Sequence, residues 1–550
     1  MKLIERRVGL LFAAFTIAFL LVMVRAAWLQ VARGDQYSDS ARSQQVATVE
    51  VPGMRGSILD RNGETLAGSE DAATISVTPY QIEDPPQAAE LLAKKLDLKA
   101  DDVLAKLTAD SGFEYVAQKV DVVTAEQIER LDLVGVNITR DTRRTYPQGE
   151  IAGRVIGAIG TEGTGLFGLE AAQEKLLAPS DGELAVTRDA LGEEIHREVV
   201  EPAEAGSDLQ LTIDGEIQAE TEQVLDQIGA TYKPAGATII AVDPRDSSVL
   251  AMASWPPVDP NNLEEAPEDV LSNMATGFTY EPGSTFKAFT VAGAVEDGIV
   301  TPRTTFNLAP TINVADRTIG ESHERGTITA SVAQILAESS NVGTVTVGLE
   351  LGAERFSEWV DEWGFGAPTG IDYPGEEQGI VLPYADYSGS SIGNMPIGQG
   401  ISVTPLQMVA GYSAIANGGI LRPPRLIESV DGETQEVADG RRVISEKTAS
   451  QVREMLEGVL APGGTAAEVE VPGYTLAGKT GTAEKAIDGG YSSTDYVGSF
   501  VGFAPAEDPE FLVAVIVDSP TQGSYYGGTV AAPAFGEIAT FALPYLGIEP

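Results

Sequence analysis

Tyr280-Glu281-Pro282-Gly283-Ser284-Thr285-Phe286-Lys287-Ala288-Phe289-Thr290-Val291-Ala292 is the stretch on which the reading of this chain turns. Pro282-Gly283 breaks the backbone just before Ser284, and mostly apolar, helix-compatible residues follow. That predicts a helix N-terminus at or near Ser284. Side chains at i and i+3 are neighbours on a helix, so Lys287 shares the face of Ser284. A hydroxyl and an amine then stand side by side at the positive end of a helix dipole, which disfavours an ammonium. This is one way to build a nucleophilic serine whose base is a lysine. Taken alone, S-x-x-K is more often a capped, buried helix with a stray lysine.

Composition narrows the choice. The chain has 550 residues, 43% of them hydrophobic, enough for several domains with their own cores. Its formal net charge of -45 argues against a nucleic-acid partner, because phosphate binding needs clustered Lys and Arg. The acidity reads as a solvated surface, of a kind suited to a salty medium. The absence of Cys excludes disulfides, thiol nucleophiles and thiolate metal sites. The two histidines, His196 and His323, sit in polar surroundings and read as surface residues. A serine enzyme built from this chain therefore has few histidines to use as a base, which favours a lysine.

Toward the N-terminus, Val8 to Val24 is a run of 17 residues without a charge, at the short end for a membrane span. Apolar residues resume after Arg25, so the helix can run on with that side chain reaching for the interface. Lys2, Arg6 and Arg7 precede the run, which puts the N-terminus in the cytoplasm and the rest outside. A cleaved signal peptide is the alternative. The expected segments are a cytoplasmic tail at 1–7, an anchor at 8–32, a mixed module at 33–205 and a second module at 206–550.

In the mixed module, Asn62-Gly63 reads as a tight hairpin turn, and helical patterns fall near 87–107 and 124–132. The second module opens with strand patterns at Leu209–Ile213, Ala237–Val242 and Val249–Ser254, with a helix at Ile217–Ile228. A largely helical middle follows. Strand patterns return at Tyr474–Ala477, Val497–Phe503 and Phe511–Val517, before a last helix near 530–542. Strands at both ends with helices between predict an α+β fold: one antiparallel sheet flanked by helices.

Four motifs compete for the chemistry. Gly163-Thr164-Gly165-Leu166-Phe167-Gly168 matches a dinucleotide fingerprint but lacks a βαβ unit around it. Gly389-Ser390-Ser391-Ile392-Gly393 matches a nucleophile elbow, yet its flanks read as loop. Gly473 to Thr480 fits G-x-x-x-x-G-K-[ST], and Phe511 to Asp518 resembles an apolar strand ending in Asp. A phosphate loop needs a strand just before and a helix just after. Here Pro472 precedes it, and Thr482-Ala483-Glu484-Lys485 leads into Gly489-Gly490. The fourth pattern is a triple in order: Ser284-x-x-Lys287, then Ser339-Ser340-Asn341, then Lys479-Thr480-Gly481. Class A β-lactamases and penicillin-binding proteins carry S-x-x-K, S-D-N and K-T-G. The middle element here has Ser where that set has Asp.

By these residues the chain resembles a class B penicillin-binding protein, a peptidoglycan D,D-transpeptidase. Arg55-Gly56 with Asp60-Arg61-Asn62-Gly63 and Leu66-Ala67, then Arg144-Thr145-Tyr146-Pro147, then Gly165 to Glu170 resemble the pedestal motifs of that family. Gly398-Gln399-Gly400 with Val403-Thr404-Pro405-Leu406-Gln407 resembles it too. These details are most like the division type, penicillin-binding protein 3, with the elongation type as the alternative. A further alternative is a penicillin-recognising sensor or scaffold that acylates without turnover.

The resemblance implies a penicillin-binding/serine β-lactamase-like transpeptidase domain behind a membrane anchor and an elongated pedestal (dimerisation) domain. The implied location is the bacterial cell membrane, crossed once, with the catalytic domain outside. Its substrates would be peptidoglycan stem peptides, a D-Ala-D-Ala donor and an amine acceptor, with β-lactam antibiotics as covalent inhibitors. Its partners would be a polytopic glycosyltransferase and other divisome membrane proteins. Neither cofactor nor metal is called for. In the implied chemistry Ser284 attacks the D-Ala-D-Ala carbonyl, Lys287 takes its proton and Ser339 relays a proton to the leaving amine. Asn341 holds Lys287 and the substrate amide, and Ser340 is a packing residue. Lys479, Thr480 and Thr482 bind the terminal carboxylate, and Gly481 lets the substrate backbone approach the strand. The amides of Ser284 and Thr482 form an oxyanion hole. Lys287 must lose about 3 pKa units from the usual 10.4 to work as a base near neutrality. Burial, the helix end and Lys479 as a second cation are the expected causes.

Overall fold

The computed structural model describes residues 2–31, 46–188, 194–263, 266, 272–487 and 490–550. The expected end of the anchor at 32 and start of the pedestal at 33 fall outside the described residues. Helix α1 (Lys2–Val31) has a mean hydropathy of 2.4 in its most apolar window and exposes its apolar side chains. At 1.5 Å per residue it reaches about 45 Å, enough to cross a bilayer with its headgroups. The guanidinium of Arg25 lies 4.6 Å from the centre of the Trp28 ring, one turn on.

The chain packs as two compact units. The smaller takes the residues up to Met54, Glu70–Arg143 and Pro179–Gly206. Here Pro85–Leu96, Ala100–Leu107 and Val122–Glu129 are the helices, and residues 72–77 pair antiparallel with Glu114–Asp121. Asp84 caps the first helix by accepting from the Gln87 amide, with proline in its first turn, where the missing N–H is not needed. Ile75, Val77, Leu92, Val103, Leu107 and Ile128 form the core of this unit. A separate sheet orders Val46–Val51, Gly182–Arg188 and Glu194–Glu201, with the middle of these strands flanked by the other two.

The larger unit takes Arg55–Ser69, Arg144–Ala178 and Ser207–Pro550. Its sheet has five strands: β1 (Gly236–Asp243), β2 (Ser248–Trp255), β3 (Ala477–Ile487), β4 (Gly490–Ala504) and β5 (Phe511–Asp518). Their order is β2-β1-β5-β4-β3, antiparallel throughout. β5 is buried along its whole length, which fits a central strand covered on both faces and explains its unbroken apolar sequence. Helices α2 (Gly215–Tyr232) and α6 (Ala532–Tyr545) pack on each other and on the sheet. Helices α3 (Lys287–Glu296), α4 (Asn341–Leu351) and α5 (Pro405–Ala416) build the helical middle, α3 packing on α4 and α5 on β1 and β5. α5 starts with a capping box of Thr404 and Gln407, with Pro405 at its first position.

The strand expected at Leu209–Ile213 is shorter, Leu209–Leu211, and lies in another sheet, between Ile58–Leu59 and Ile427–Val430. The hairpin expected at Asn62-Gly63 is present, joining Ile58–Leu59 to the strand that starts at Thr65. The three N-terminal motifs share one carboxylate. Buried Glu170 pairs with Arg55 through Oε2 at 2.7 Å and with Arg144 through Oε1 at 2.7 Å. Arg55 also reaches Glu174 at 2.7 Å. These segments precede residue 206 in the chain and pack in the same unit as 207–550.

Candidate active site

The break at Pro282-Gly283 is made by Gly283 at φ 54°, a left-handed conformation that glycine adopts without strain. A 3₁₀ turn, Gly283–Phe286, carries Ser284, and the α-helix proper begins at Lys287. With three residues per turn, positions i and i+3 eclipse, so Ser284 and Lys287 stack more closely than on an α-helix. The turn is pinned from outside. Gly398 at φ 78° has room only for hydrogen where a Cβ would lie 2.2 Å from the Gly283 carbonyl oxygen, and the Gly283 amide donates to the Gly398 carbonyl at 3.0 Å.

The Lys287 amine is fully buried and donates to the Ser339 carbonyl at 2.6 Å, the Ser339 Oγ at 3.2 Å and Asn341 Oδ1 at 2.7 Å. Ser339 itself sits at φ 59°, which turns both its carbonyl and its hydroxyl toward the amine. Burial pushes Lys287 down to about 7, against the charge of Glu321, which favours the ammonium. Lys479, on β3, is likewise fully buried, and its amine donates to the Thr480 carbonyl at 3.1 Å. Burial first, then the charge of Lys287, hold Lys479 well below the usual lysine range. Of the causes expected for the Lys287 shift, desolvation therefore dominates. The second cation expected at Lys479 does not contribute to the Lys287 shift, whose lowering comes from burial.

A cleft of about 520 Å³ is lined by Ser284, Ser339, Asn341, Thr480, Gly481 and Thr482, among others. Lys287 and Lys479 lie buried beneath it. Among the described residues β3 is an edge strand that pairs only with β4, and its other edge lies beside the nucleophile turn. Thr482 Oγ1 accepts from the Gly527 amide at 3.0 Å, and the Thr480 hydroxyl bonds the Thr465 hydroxyl at 2.6 Å. Gly481 also has a packing reason. An added Cβ would meet Ser499 Oγ at 2.4 Å, the Pro282 carbonyl oxygen at 2.9 Å and Thr285 Cγ2 at 3.0 Å. The missing side chain lets β3 lie against the turn that carries Ser284.

Ser340 is more than packing: its Oγ caps α4 by accepting from the Gly343 amide at 3.0 Å and donates to Glu321 at 2.6 Å. Glu321 is missed by sequence reading, since it sits in a polar loop 20 residues before Asn341. His323 is exposed, as expected, but it lines the cleft, its ring centre 6.5 Å from that of Tyr526. The phosphate-loop reading fails on geometry. Lys479 and Thr480 lie inside strand β3, so the residues after them, to Ile487, are strand where a phosphate loop would need a helix. In the elbow-like stretch Ser391 opens a four-residue helix, Ser391–Asn394, and the residues before it form a turn rather than a strand.

The sequence profile of the penicillin-binding protein transpeptidase domain matches residues 237–540, and that of the penicillin-binding protein dimerisation domain matches 50–211. Stage V sporulation protein D of Bacillus subtilis is 35% identical over 97% of this chain and 85% of its own length. Peptidoglycan D,D-transpeptidase FtsI of Escherichia coli is 31% identical over 100% of this chain and 93% of its own. Among solved structures, penicillin-binding protein 3 of Mycobacterium tuberculosis in complex with aztreonam has a TM-score of 0.71 at 29% identity, covering 91% of this chain and 98% of that one. The chain belongs to the class B penicillin-binding proteins, as a serine-type D,D-transpeptidase acting on peptidoglycan stem peptides and binding β-lactams.

Proposed function

We propose that Ser284 is the acylated nucleophile of a septal peptidoglycan transpeptidase and that Lys287 is its general base. The observation that carries this is the Lys287 amine: buried, one 3₁₀ turn from Ser284, and near 7 in pKa. A general base works best with a pKa near the operating pH. As an ammonium, Lys287 fills all three of its hydrogens on Ser339 and Asn341. On losing one, it has a lone pair for a hydroxyl. Two of its acceptors, a carbonyl and an amide oxygen, cannot donate back, so the hydroxyls of Ser284 and Ser339 are the available donors.

In the first step Ser284 Oγ bonds to the donor carbonyl carbon and its proton passes to Lys287. The peptide C–N bond then breaks and D-Ala leaves with a proton supplied through Ser339. In the second step an acceptor amine attacks the ester, loses a proton and restores the Ser284 hydroxyl. Splitting the exchange in two lowers each barrier. The amides of Ser284 and Thr482 hold the oxyanion, and one such donor contributes about 3 kcal/mol. The edge of β3 beside the nucleophile turn takes the extended donor as an added strand. Thr480 and Thr482, with Lys479 beneath them, receive its terminal carboxylate. Asn341 holds Lys287 and the donor amide. Residues 33–205 serve as pedestal, the anchor keeps its N-terminus in the cytoplasm, and the partners are a polytopic glycosyltransferase and other division proteins.

Labelling the full chain with a fluorescent penicillin, followed by peptide mapping, tests the site. The expected adduct is on Ser284; an adduct on Ser391, or labelling that survives Ser284→Ala, would overturn it. The septal role rests on the resemblance of Gly398–Gln407 and the nucleophile run to the division type. Cells depleted of the protein are expected to filament; rounding instead would make it the elongation enzyme.

A further inference from the structure

We propose that Glu321 is a positioning residue of this site: by tying the loop 320–325 to Ser340 and Asn341, it fixes the acceptors that hold the Lys287 amine. Glu321 Oε1 accepts from Ser340 Oγ at 2.6 Å, and Oε2 accepts from the Asn341 amide at 2.7 Å. Arg325 pairs with the same carboxylate. The neighbouring Gly320 carbonyl accepts from Asn341 Nδ2 at 3.0 Å. That bond uses the NH₂ of the Asn341 side chain, so its oxygen is the end turned to Lys287. Two adjacent residues thus hold Asn341 by its backbone and by its side chain.

The carboxylate is also placed where it acts by charge. It sits at the N-terminus of α4, where the helix dipole favours an anion. Burial alone would raise its proton affinity, but the bonds from Ser340, Arg325 and Asn341 prevail and hold it below the usual range. It therefore stays ionised near neutrality, and its charge favours the ammonium form of Lys287. The other titratable groups around the site include Lys479 on β3, Arg325 beside Glu321, and Glu338, Glu468 and His323 in the cleft wall. None of these besides Glu321 both touches the Ser339–Asn341 turn and raises Lys287. In this arrangement Glu321 sets the pH at which the base becomes free and leaves the bond-making to others.

This inference rests on Ser284 acylation with Lys287 as base, and the test separates the two. Penicillin acylation rates of the purified full chain are measured from pH 5.5 to 9. If Ser284 is not labelled at all, the functional reading fails. If it is labelled, the variants decide the rest. Glu321→Gln keeps the shape and loses the charge. Its rising limb is expected to move to lower pH by about half a unit or more, the scale of one screened neighbouring charge. Glu321→Asp should bring the limb back toward wild type. Arg325→Gln unmasks the carboxylate and should move the limb to higher pH, so a second sign is available if Glu321→Gln folds poorly. A limb that stays put in all three variants overturns the proposal, whether the plateau falls or not, since a merely structural residue would lower the plateau alone.

Discussion

At the scale of single residues the site is governed by one proton. Lys287 near 7 is half neutral there, so acylation should fall about tenfold per pH unit well below 7 and level off above it. The sign comes from the role: a base acts only when its proton is gone. Lys287→Arg should leave the fold intact and lower penicillin acylation by more than tenfold, or more than about 1.4 kcal/mol of barrier. A guanidinium stays protonated in proteins, so it can attract an anion but cannot take a proton from Ser284. Retention of over a tenth of the rate would move the proton route to Ser339 and Lys479. Ser284, Lys287, Lys479 and Thr480 were legible because each belongs to a short motif whose spacing is itself the geometry. Glu321 was not, because the two residues it holds in the site, Ser340 and Asn341, lie 19 and 20 residues away, and its i,i+4 pairing with Arg325 reads as an ordinary surface pair. The part of Ser340 was misread for the same reason: its carboxylate partner lies in that loop.

At the scale of elements, the decision between a phosphate loop and a sheet strand turns on the residues just after Lys479. Thr480-Gly481-Thr482-Ala483 has β-branched residues at alternate positions, and it forms a strand that pairs with β4 along its length. The apolar strands β1, β2 and β5 lie close to their expected limits, since a buried sheet leaves a continuous apolar run, whereas β4 starts at Gly490, seven residues before the expected Val497, in a polar and partly exposed stretch. The start of β3 was harder, because the motif residues themselves are polar and its burial comes from tertiary contacts. Gly481→Ala tests how closely β3 must approach the nucleophile turn. The methyl would meet the Pro282 carbonyl, which belongs to the turn, and Ser499 on β4. Overpacking of this kind costs about 1–3 kcal/mol. Melting temperature and acylation rate should fall together. If acylation drops and melting is unchanged, the glycine is there for the substrate and not for the packing.

At the scale of the whole molecule, the anchor and the catalytic sheet were readable, but the packing of the segments before residue 206 was not. Residues 55–69 and 144–178, which belong to the larger unit, are tied to each other through ion pairs that span 115 and 26 residues, and no local periodicity announces such pairs. Glu170 is the centre of that join, buried and flanked by Arg55 and Arg144, with the Tyr146 hydroxyl 3.3 Å from its Oε1. Charge burial makes this cluster brittle. Each ion loses its hydration, and the full set of bonds returns that energy, so removing one member strands the others. Glu170→Ala strips buried Arg144 of its carboxylate and leaves Arg55 with Glu174 alone. The expected loss is about 3–5 kcal/mol, read as a fall of several degrees in the first melting transition and as faster proteolysis within 55–69 and 144–178. Penicillin acylation of the protein that remains folded should stay within twofold of wild type, because none of these residues lines the cleft or touches Lys287. A Glu170→Ala protein that melts as wild type would show that the cluster does not hold these segments in place. One that melts as wild type yet acylates slowly would instead place Glu170 in a route to the active site.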